Sequence, residues 1–146
     1  MNGRVCFDAS VAVKWLILED QSELALAFLG NVLRTGGSIV GPPHLPVEIS
    51  NALYKRVRTG DVILEEAQER VSTLSDIPID LVYSKDLSRS ALALSLEFGW
   101  KYLYDAFYLA VEELFDCDVW TADSLFYRDA RITHPRVRLL ADYASS

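Results

Sequence analysis

The sequence predicts an α/β fold: a central, mainly parallel sheet of four to five short strands, covered on both faces by helices in three layers. Three observations carry this. Short apolar segments alternate with longer ones whose apolar residues recur every three to four positions, the pattern of strands joined by crossover helices. The short segments are dominated by Val, Ile and Phe, as strands covered on both faces are. The chain has 146 residues, 51% of them hydrophobic and 11% aromatic. That is enough apolar material for one core, so residues 1–146 are read as a single domain.

The elements follow in chain order. Arg4–Phe7 reads as a strand that stops at Asp8. Ser10–Leu18 turns helical, with Val11, Trp15 and Leu18 spaced for one face. A helix over Ser22–Leu33 carries Leu26, Leu29 and Leu33 as its expected buried stripe and ends at Gly36-Gly37. Ser38–Val40 is a strand closed by Gly41-Pro42-Pro43. The helix Leu45–Val57 directs Leu45, Ile49, Ala52, Leu53 and Val57 inward and ends before Gly60. Val62–Leu74 is a further helix. Ile79–Val82 is a strand after Pro78, and Asp86–Phe98 a helix closed by Gly99. Tyr104–Leu114 is helical, Asp118–Thr121 a strand, Ser124–Arg128 a short helix, and Val137–Leu140 a last edge strand. Repeats, low-complexity tracts and Pro/Ser-rich linkers are absent from the sequence.

Fourteen Lys and Arg against 21 Asp and Glu give a net charge of −7. That excludes a broad basic surface of the kind that grips duplex DNA unaided. It leaves room for an enzyme that gathers acids around metal ions, because bound cations invert the local field. The apolar runs are too short to span a bilayer, and Asp8 interrupts the N-terminal segment before any signal-like apolar region forms. Cys6 and Cys117 make neither a disulfide framework nor a metal knuckle and are expected to be buried small hydrophobes. The expectation is a soluble, cytoplasmic protein with no membrane association.

Most of the acids, such as those in Glu65-Glu66-Ala67-Gln68-Glu69 and Glu112-Glu113, lie in helical patterns and need no function. Four do not fit that explanation. Asp8 leaves the first strand and Asp123 follows the strand Val119-Trp120-Thr121. In parallel sheets that edge is where ligands bind, beside the point where strand order reverses. If those two strands are neighbours, two carboxylates meet at one crevice. Glu48 borders the apolar stripe of its helix, and Asp105 opens a helix in a nearly uncharged stretch. Each alone has a plain structural explanation, as a helix cap, a dipole-favoured acid or a solvated flank.

Together they resemble a family. Phe7-Asp8-Ala9-Ser10-Val11-Ala12-Val13-Lys14-Trp15 is similar to the opening of PIN-domain ribonucleases, specifically the VapC-like toxins of type II toxin–antitoxin modules. The resemblance continues in Glu48-Ile49-Ser50-Asn51-Ala52-Leu53, in Tyr104-Asp105-Ala106-Phe107-Tyr108-Leu109-Ala110 and in Thr121-Ala122-Asp123-Ser124-Leu125-Phe126. The order Asp, Glu, Asp, Asp and the intervals of 40, 57 and 18 residues agree with it.

The resemblance implies a PIN-like α/β/α fold and an acidic quartet, Asp8, Glu48, Asp105 and Asp123, that holds Mg²⁺ or Mn²⁺ for endoribonuclease chemistry. It also implies an RNA substrate, a cognate antitoxin and a homodimer. Hard divalent cations want oxygen ligands, and Mg²⁺ takes one or two carboxylates plus water and substrate phosphate. Asp8 and Asp105 are assigned as primary ligands, with Glu48 and Asp123 acting through bound water or on a second ion. Ser10, Asn51 and Thr121 are candidate supporting groups.

Lys14 is expected to be solvated, and His44 and His134, which lack ligand spacing, to be structural or surface residues. The basic segments Lys55-Arg56-Val57-Arg58 and Arg128–Arg138 suit RNA guidance or plain exposure equally. Leu53, Tyr54, Val57, Leu64 and Leu74 are expected to supply a dimer patch. Rival readings fit less well. A phospho-accepting receiver wants adjacent acids after strand one, where Ala9 and Ser10 stand. A haloacid-dehalogenase-like phosphatase wants Asp-x-Asp, and Ser10 holds the second acid's place. A PIN domain kept as a non-cutting interaction module remains the alternative.

Overall fold

A computed structural model describes residues 3–143; residues 1–2 and 144–146 of the expected domain lie outside the described residues. Its elements run β1 (Arg4–Phe7), α1 (Ala9–Leu16), α2 (Ser22–Arg34), β2 (Ser38–Gly41), α3 (Leu45–Arg58), α4 (Leu64–Leu74), β3 (Ile79–Leu81), α5 (Lys85–Phe98), α6 (Tyr104–Phe115), β4 (Asp118–Thr121), α7 (Ser124–Ala130) and β5 (Val137–Leu139). Every expected element is present, with ends shifted by a residue or two, as helix ends and short strands do. Leu140 leaves the expected last strand for a short 3₁₀ turn over Leu140–Asp142.

The five strands form one sheet in the order β3-β2-β1-β4-β5, and all four pairings are parallel. The chain moves outward from β1 through β2 to β3, then returns across β1 to add β4 and β5. Strand order therefore reverses between β1 and β4, where Phe7 pairs with Trp120. Helices flank the sheet on both sides, giving the α/β/α arrangement. On one side α1 packs against α2, α3 and α4, and separately α5 packs against α6. Among the described residues no helix is long and apolar enough to cross a membrane.

The core explains why the strands can be so short. Val5, Cys6, Phe7, Ile39, Val40 and Val119 are all buried, so the three central strands β1, β2 and β4 contribute apolar area on both faces. Phe28 of α2 joins the layers, edge-on to Phe7 and Trp120 at 4.9 and 4.8 Å and stacked on Tyr143 at 3.8 Å. The Trp15 indole N–H donates to the Ala25 carbonyl at 3.1 Å, tying α1 to α2. At the end of β2, a Cβ on Gly41 would sit 2.7 Å from the Leu45 side chain. Glycine there lets the strand pass close under the first turn of α3, the helix that carries Glu48.

Several packing expectations need correction. The buried face of α2 is Ala25, Phe28, Leu29 and Val32, while Leu26 and Leu33 are exposed. Phe28 fills the gap over Phe7 better than a leucine, and that turns the helix by about one position. Leu18 lies beyond the end of α1 and is exposed. Lys14 is buried rather than solvated: its ammonium donates to Glu19 Oε2 at 2.8 Å and to the Asp20 carbonyl at 2.7 Å. Of the expected dimer patch, Leu53 is buried and Val57 and Leu74 are half-buried against the core, leaving Tyr54 and Leu64 exposed. Cys6 and Cys117 are buried free thiols. Burial pushes both thiol pKa values up, Cys117 to about 11.

Candidate active site

The reversal between β1 and β4 brings Asp8 and Asp123 to one edge of the sheet. The Asp8 amide donates to the Trp120 carbonyl at 3.0 Å, continuing the ladder one residue past the strand. Each aspartate also caps the helix it precedes. Asp8 Oδ1 accepts from the Val11 amide at 3.3 Å, and Asp123 Oδ1 accepts from the amides of Leu125 and Phe126 at 3.0 and 3.2 Å. Capping and candidate chemistry thus coexist in the same side chains.

The two turns are linked by hydroxyls. Ser10 Oγ donates to Asp8 Oδ1 and accepts from the Ala122 amide at 2.8 Å. Thr121, fully buried, lies 3.2 Å from Ser10 Oγ and accepts from the Asp123 amide at 3.0 Å. The Thr121 hydroxyl thus sits where its proton serves the Ser10–Asp8 pair. The chain of bonds runs from the Asp123 amide through both hydroxyls to the Asp8 carboxylate. Ser10 therefore positions Asp8 and does not cap α1, whose cap is Asp8 itself.

Glu48 and Asp105 reach the same edge from the first turns of α3 and α6. The Tyr108 hydroxyl, buried in α6, donates to Glu48 Oε1 at 2.7 Å, and His44 Nε2 lies 3.3 Å from the same oxygen and 3.1 Å from the Tyr104 carbonyl. Tyr108 and His44 are the residues that sequence reasoning missed. His44, expected to be structural or surface, braces Glu48 from one helical turn before it, a spacing visible in the sequence. Asn51, one turn after Glu48, is exposed and lines the cleft described below.

The electrostatics reflect the crowding. Asp8 has its carboxyl pKa raised to about 7, chiefly because it is buried; hydrogen bonds from Ser10, Thr121 and Val11 pull it down, and the Asp105 charge pushes it up. Asp105 is raised to about 6, first by desolvation and then by the charges of Glu48 and Asp123. Asp105 is exposed, so water screens its shift more than it does at Asp8. Burial, with the nearby Glu48 charge, also raises the Tyr108 hydroxyl.

A hard divalent cation suits this donor set. The protein's bonds to Asp8, Glu48 and Asp123 all fall on a single oxygen of each carboxylate, which leaves the other oxygen of each as an available acceptor. Two of the four carboxyls are raised by burial or mutual repulsion, a cost that a cation would offset. Among the described residues no three acid, imidazole or thiol groups form a ready-made cage. Mg²⁺ does not need one, since it completes its shell with water and phosphate.

A cleft of about 850 Å³ opens beside the carboxylates, walled by α1 on one side and α3 on the other. Ser10 and Glu48 line it, and so do Ala9, Tyr104 and Ala122, the chain neighbours of Asp8, Asp105 and Asp123.

Comparison with known proteins supports the fold and gives the family. Residues 5–132 match the family model described as the PIN domain, a family whose members are typically nucleases. PAE2754 from Pyrobaculum aerophilum, known from a crystal structure, superposes with a TM-score of 0.69 at 20% identity, covering 97% of this chain and 93% of that one. A chain of a toxin–antitoxin complex from Klebsiella pneumoniae superposes with a TM-score of 0.54 at 16% identity, covering 93% of this chain and 97% of the other. At these identities the likeness is one of fold. No curated protein matches the sequence. The family match spans most of the chain, from β1 past the last of the four acids, and this protein belongs to the PIN domain family.

Proposed function

We propose that the chain is a metal-dependent endoribonuclease that acts in the cytoplasm as the toxin of a toxin–antitoxin pair. The observation that carries this reading is the pattern at the β1/β4 reversal: three carboxylates each tied by one oxygen with the other available, and Asp105 among them. Asp8 and Asp105 are the residues that would hold Mg²⁺ or Mn²⁺, with Glu48 and Asp123 acting through bound water or on a second ion. Such an ion, when bound, lowers the pKa of water and offsets charge on the phosphodiester.

The chain's own residues prepare that arrangement. Ser10 donates to Asp8 and so favours its ionised form against the effect of burial. Thr121 holds Ser10 in that orientation and the Asp123 amide with it. Tyr108 and His44 fix one oxygen of Glu48, so its other oxygen points from a preset place. Asn51 is a polar contact for substrate on the same wall.

The purified chain is expected to cleave RNA with Mg²⁺ or Mn²⁺ and to stop when EDTA is added. Cleavage that survives exhaustive chelation rules out the metal mechanism. RNA binding without cleavage under any divalent ion favours the interaction-module alternative. Expression alone is expected to arrest growth, and a cognate antitoxin to relieve it by placing a cation in the acidic site. Unaffected growth with active protein points to RNA processing instead. A two-fold homodimer is part of the proposal, with exposed Tyr54 and Leu64 as candidate contacts. Light scattering is expected to return twice the 16.4 kDa of one chain, and a monomer refutes it.

A further inference from the structure

Glu48 and Asp105 stand on helices that barely meet. α3 packs on α1 and α4, and α6 on α5, while α3 and α6 have little direct backbone approach. Their separation is therefore set by side chains that cross between them. Among the described residues two hydrogen bonds do so: the Tyr108 hydroxyl donates to Glu48 Oε1 at 2.7 Å, and His44 Nε2 donates to the Tyr104 carbonyl at 3.1 Å. The first holds Glu48 alone. The second holds the start of α6, where Tyr104 directly precedes Asp105.

His44, the residue before α3, is built into this place. Pro42 and Pro43 precede it and fix the backbone φ angles that lead into the helix. Its carbonyl accepts from the Glu48 amide at 2.9 Å, in the first turn. Its ring lies among three rings of α6, those of Tyr104, Phe107 and Tyr108, at 5.8, 5.3 and 5.6 Å between centres and inclined by 54°, 70° and 70°. Positions three and four apart share a helix face, so the imidazole is seated against α6 although it belongs to the start of α3. Tilted and edge-on contacts of this kind fix orientation as well as distance. Nε2 faces two oxygens, the Tyr104 carbonyl and, 3.3 Å away, Glu48 Oε1. A carbonyl and a carboxylate both accept, so Nε2 carries the proton.

We propose that His44 is a positioning residue that raises the preference of the carboxylate site for a small divalent ion over a larger one. One N–H, aimed at the Tyr104 carbonyl and flanked by Glu48, ties the start of α6 to the first turn of α3. It thereby holds Asp105 and Glu48 at a set separation. A fixed frame of ligands favours Mg²⁺, whose shell is small and regular, while a loose frame admits Ca²⁺, with its longer bonds and variable geometry. Histidine suits the task because a flat ring fills the slot and its far corner carries a donor. Phenylalanine would fill the slot without the donor, and asparagine would carry a donor on a shorter arm. Glutamine brings its amide nitrogen to about the reach of Nε2. The inference rests on the nuclease reading only in taking Glu48 and Asp105 as groups that share an ion.

Titration calorimetry of Mg²⁺ and of Ca²⁺ into the whole metal-stripped chain, without RNA, tests it. His44→Phe and His44→Asn are each expected to weaken Mg²⁺ binding about tenfold and Ca²⁺ binding much less, so that the ratio of the two affinities falls. His44→Gln is expected to restore the ratio to near wild type. Melting in EDTA separates this effect from a lost fold, and each variant is expected to unfold near wild type there. If His44→Phe alone unfolds early, His44→Asn against His44→Gln decides.

An unchanged ratio in His44→Phe and His44→Asn, whether both affinities hold or fall together, overturns the proposal. So does a His44→Gln protein no more selective than His44→Asn. Wild type that binds neither ion overturns the proposal and the metal mechanism together. The two readings are otherwise separable. An unchanged ratio with RNA cleavage intact removes the role of His44 and leaves the enzyme, whereas the expected fall without any cleavage leaves that role and removes the enzyme.

Discussion

Asp8 and Glu112 are both buried carboxyls, and burial lifts the pKa of each to about 7. Their surroundings differ in kind. Asp8 accepts from Ser10 and Val11, feels the charge of Asp105, and lies beside a cleft lined by its neighbour Ser10. Glu112, in the last turns of α6, has His134 and Arg136 pulling its pKa down and Glu113 and Asp118 pushing it up, and its Oε2 is buried without a hydrogen-bond partner. Nearby His134 bonds to Glu113 instead, at 3.0 Å. A raised pKa therefore does not locate a site by itself. The hydroxyl relay, the other acids and the open cleft distinguish Asp8.

Activity gives the largest contrast. Asp8→Asn or Asp105→Asn is expected to lower RNA cleavage by about 10³-fold or more, the scale of losing a main electrostatic contact. Glu112→Met is expected to leave cleavage near wild type. A loss of activity in Glu112→Met, with its melting temperature intact, would break the comparison.

Stability without metal should bring the two residues together again. Each carboxyl has a folded pKa above its unfolded one, so the folded protein holds the proton more tightly. Raising the pH from about 4 to about 7 strips that proton and costs folding free energy, and above pH 7 the loss levels off. The shift at Asp8, from 3.8 to about 7, sets an upper bound of the order of 4 kcal/mol. Asp8→Asn keeps an acceptor for Ser10 and Val11 and still caps α1. It should melt higher than wild type at pH 8 in EDTA and lose that advantage near pH 4. If it melts well below wild type at pH 8, Asp8 is only a structural cap. Glu112→Met removes an orphaned oxygen and should gain about 1–3 kcal/mol at pH 8.

Metal response separates them once more, by a smaller margin. At ten times its dissociation constant, Mg²⁺ should stabilise wild type by about 1.4 kcal/mol, or about 3–6 °C for a chain of this length. Glu112→Met should show the same rise and Asp8→Asn little of it. An equal rise in both places the ion away from Asp8.

The finest test concerns Ser10. Its hydrogen bond lowers the Asp8 pKa, so Ser10→Ala should move the acidic limb of the cleavage profile to higher pH. Ser95→Ala, which removes a buried hydroxyl with no partner, should leave the profile where it is.

The sequence by itself determined the order of strands and helices and the places of Asp8 and Asp123. Strand runs, helical periodicity and glycine stops are local, and an acid immediately after a strand must lie at that strand's carboxyl edge. It could not settle which way α2 faces, because Ala25, Phe28, Leu29 and Val32 make as regular a stripe as Leu26, Leu29 and Leu33; the space over Phe7 chose between them. Nor could it show Lys14 folded back onto Glu19, since a lysine becomes buried only where the surrounding loop supplies a carboxylate and a carbonyl. The hold of Tyr108 on Glu48 and the relay from Thr121 to Asp8 span 60 and more than 100 residues. Only the sheet, by returning β4 across β1, brings such partners within hydrogen-bond range, and hydrogen bonds act over about 3 Å whatever the separation along the chain.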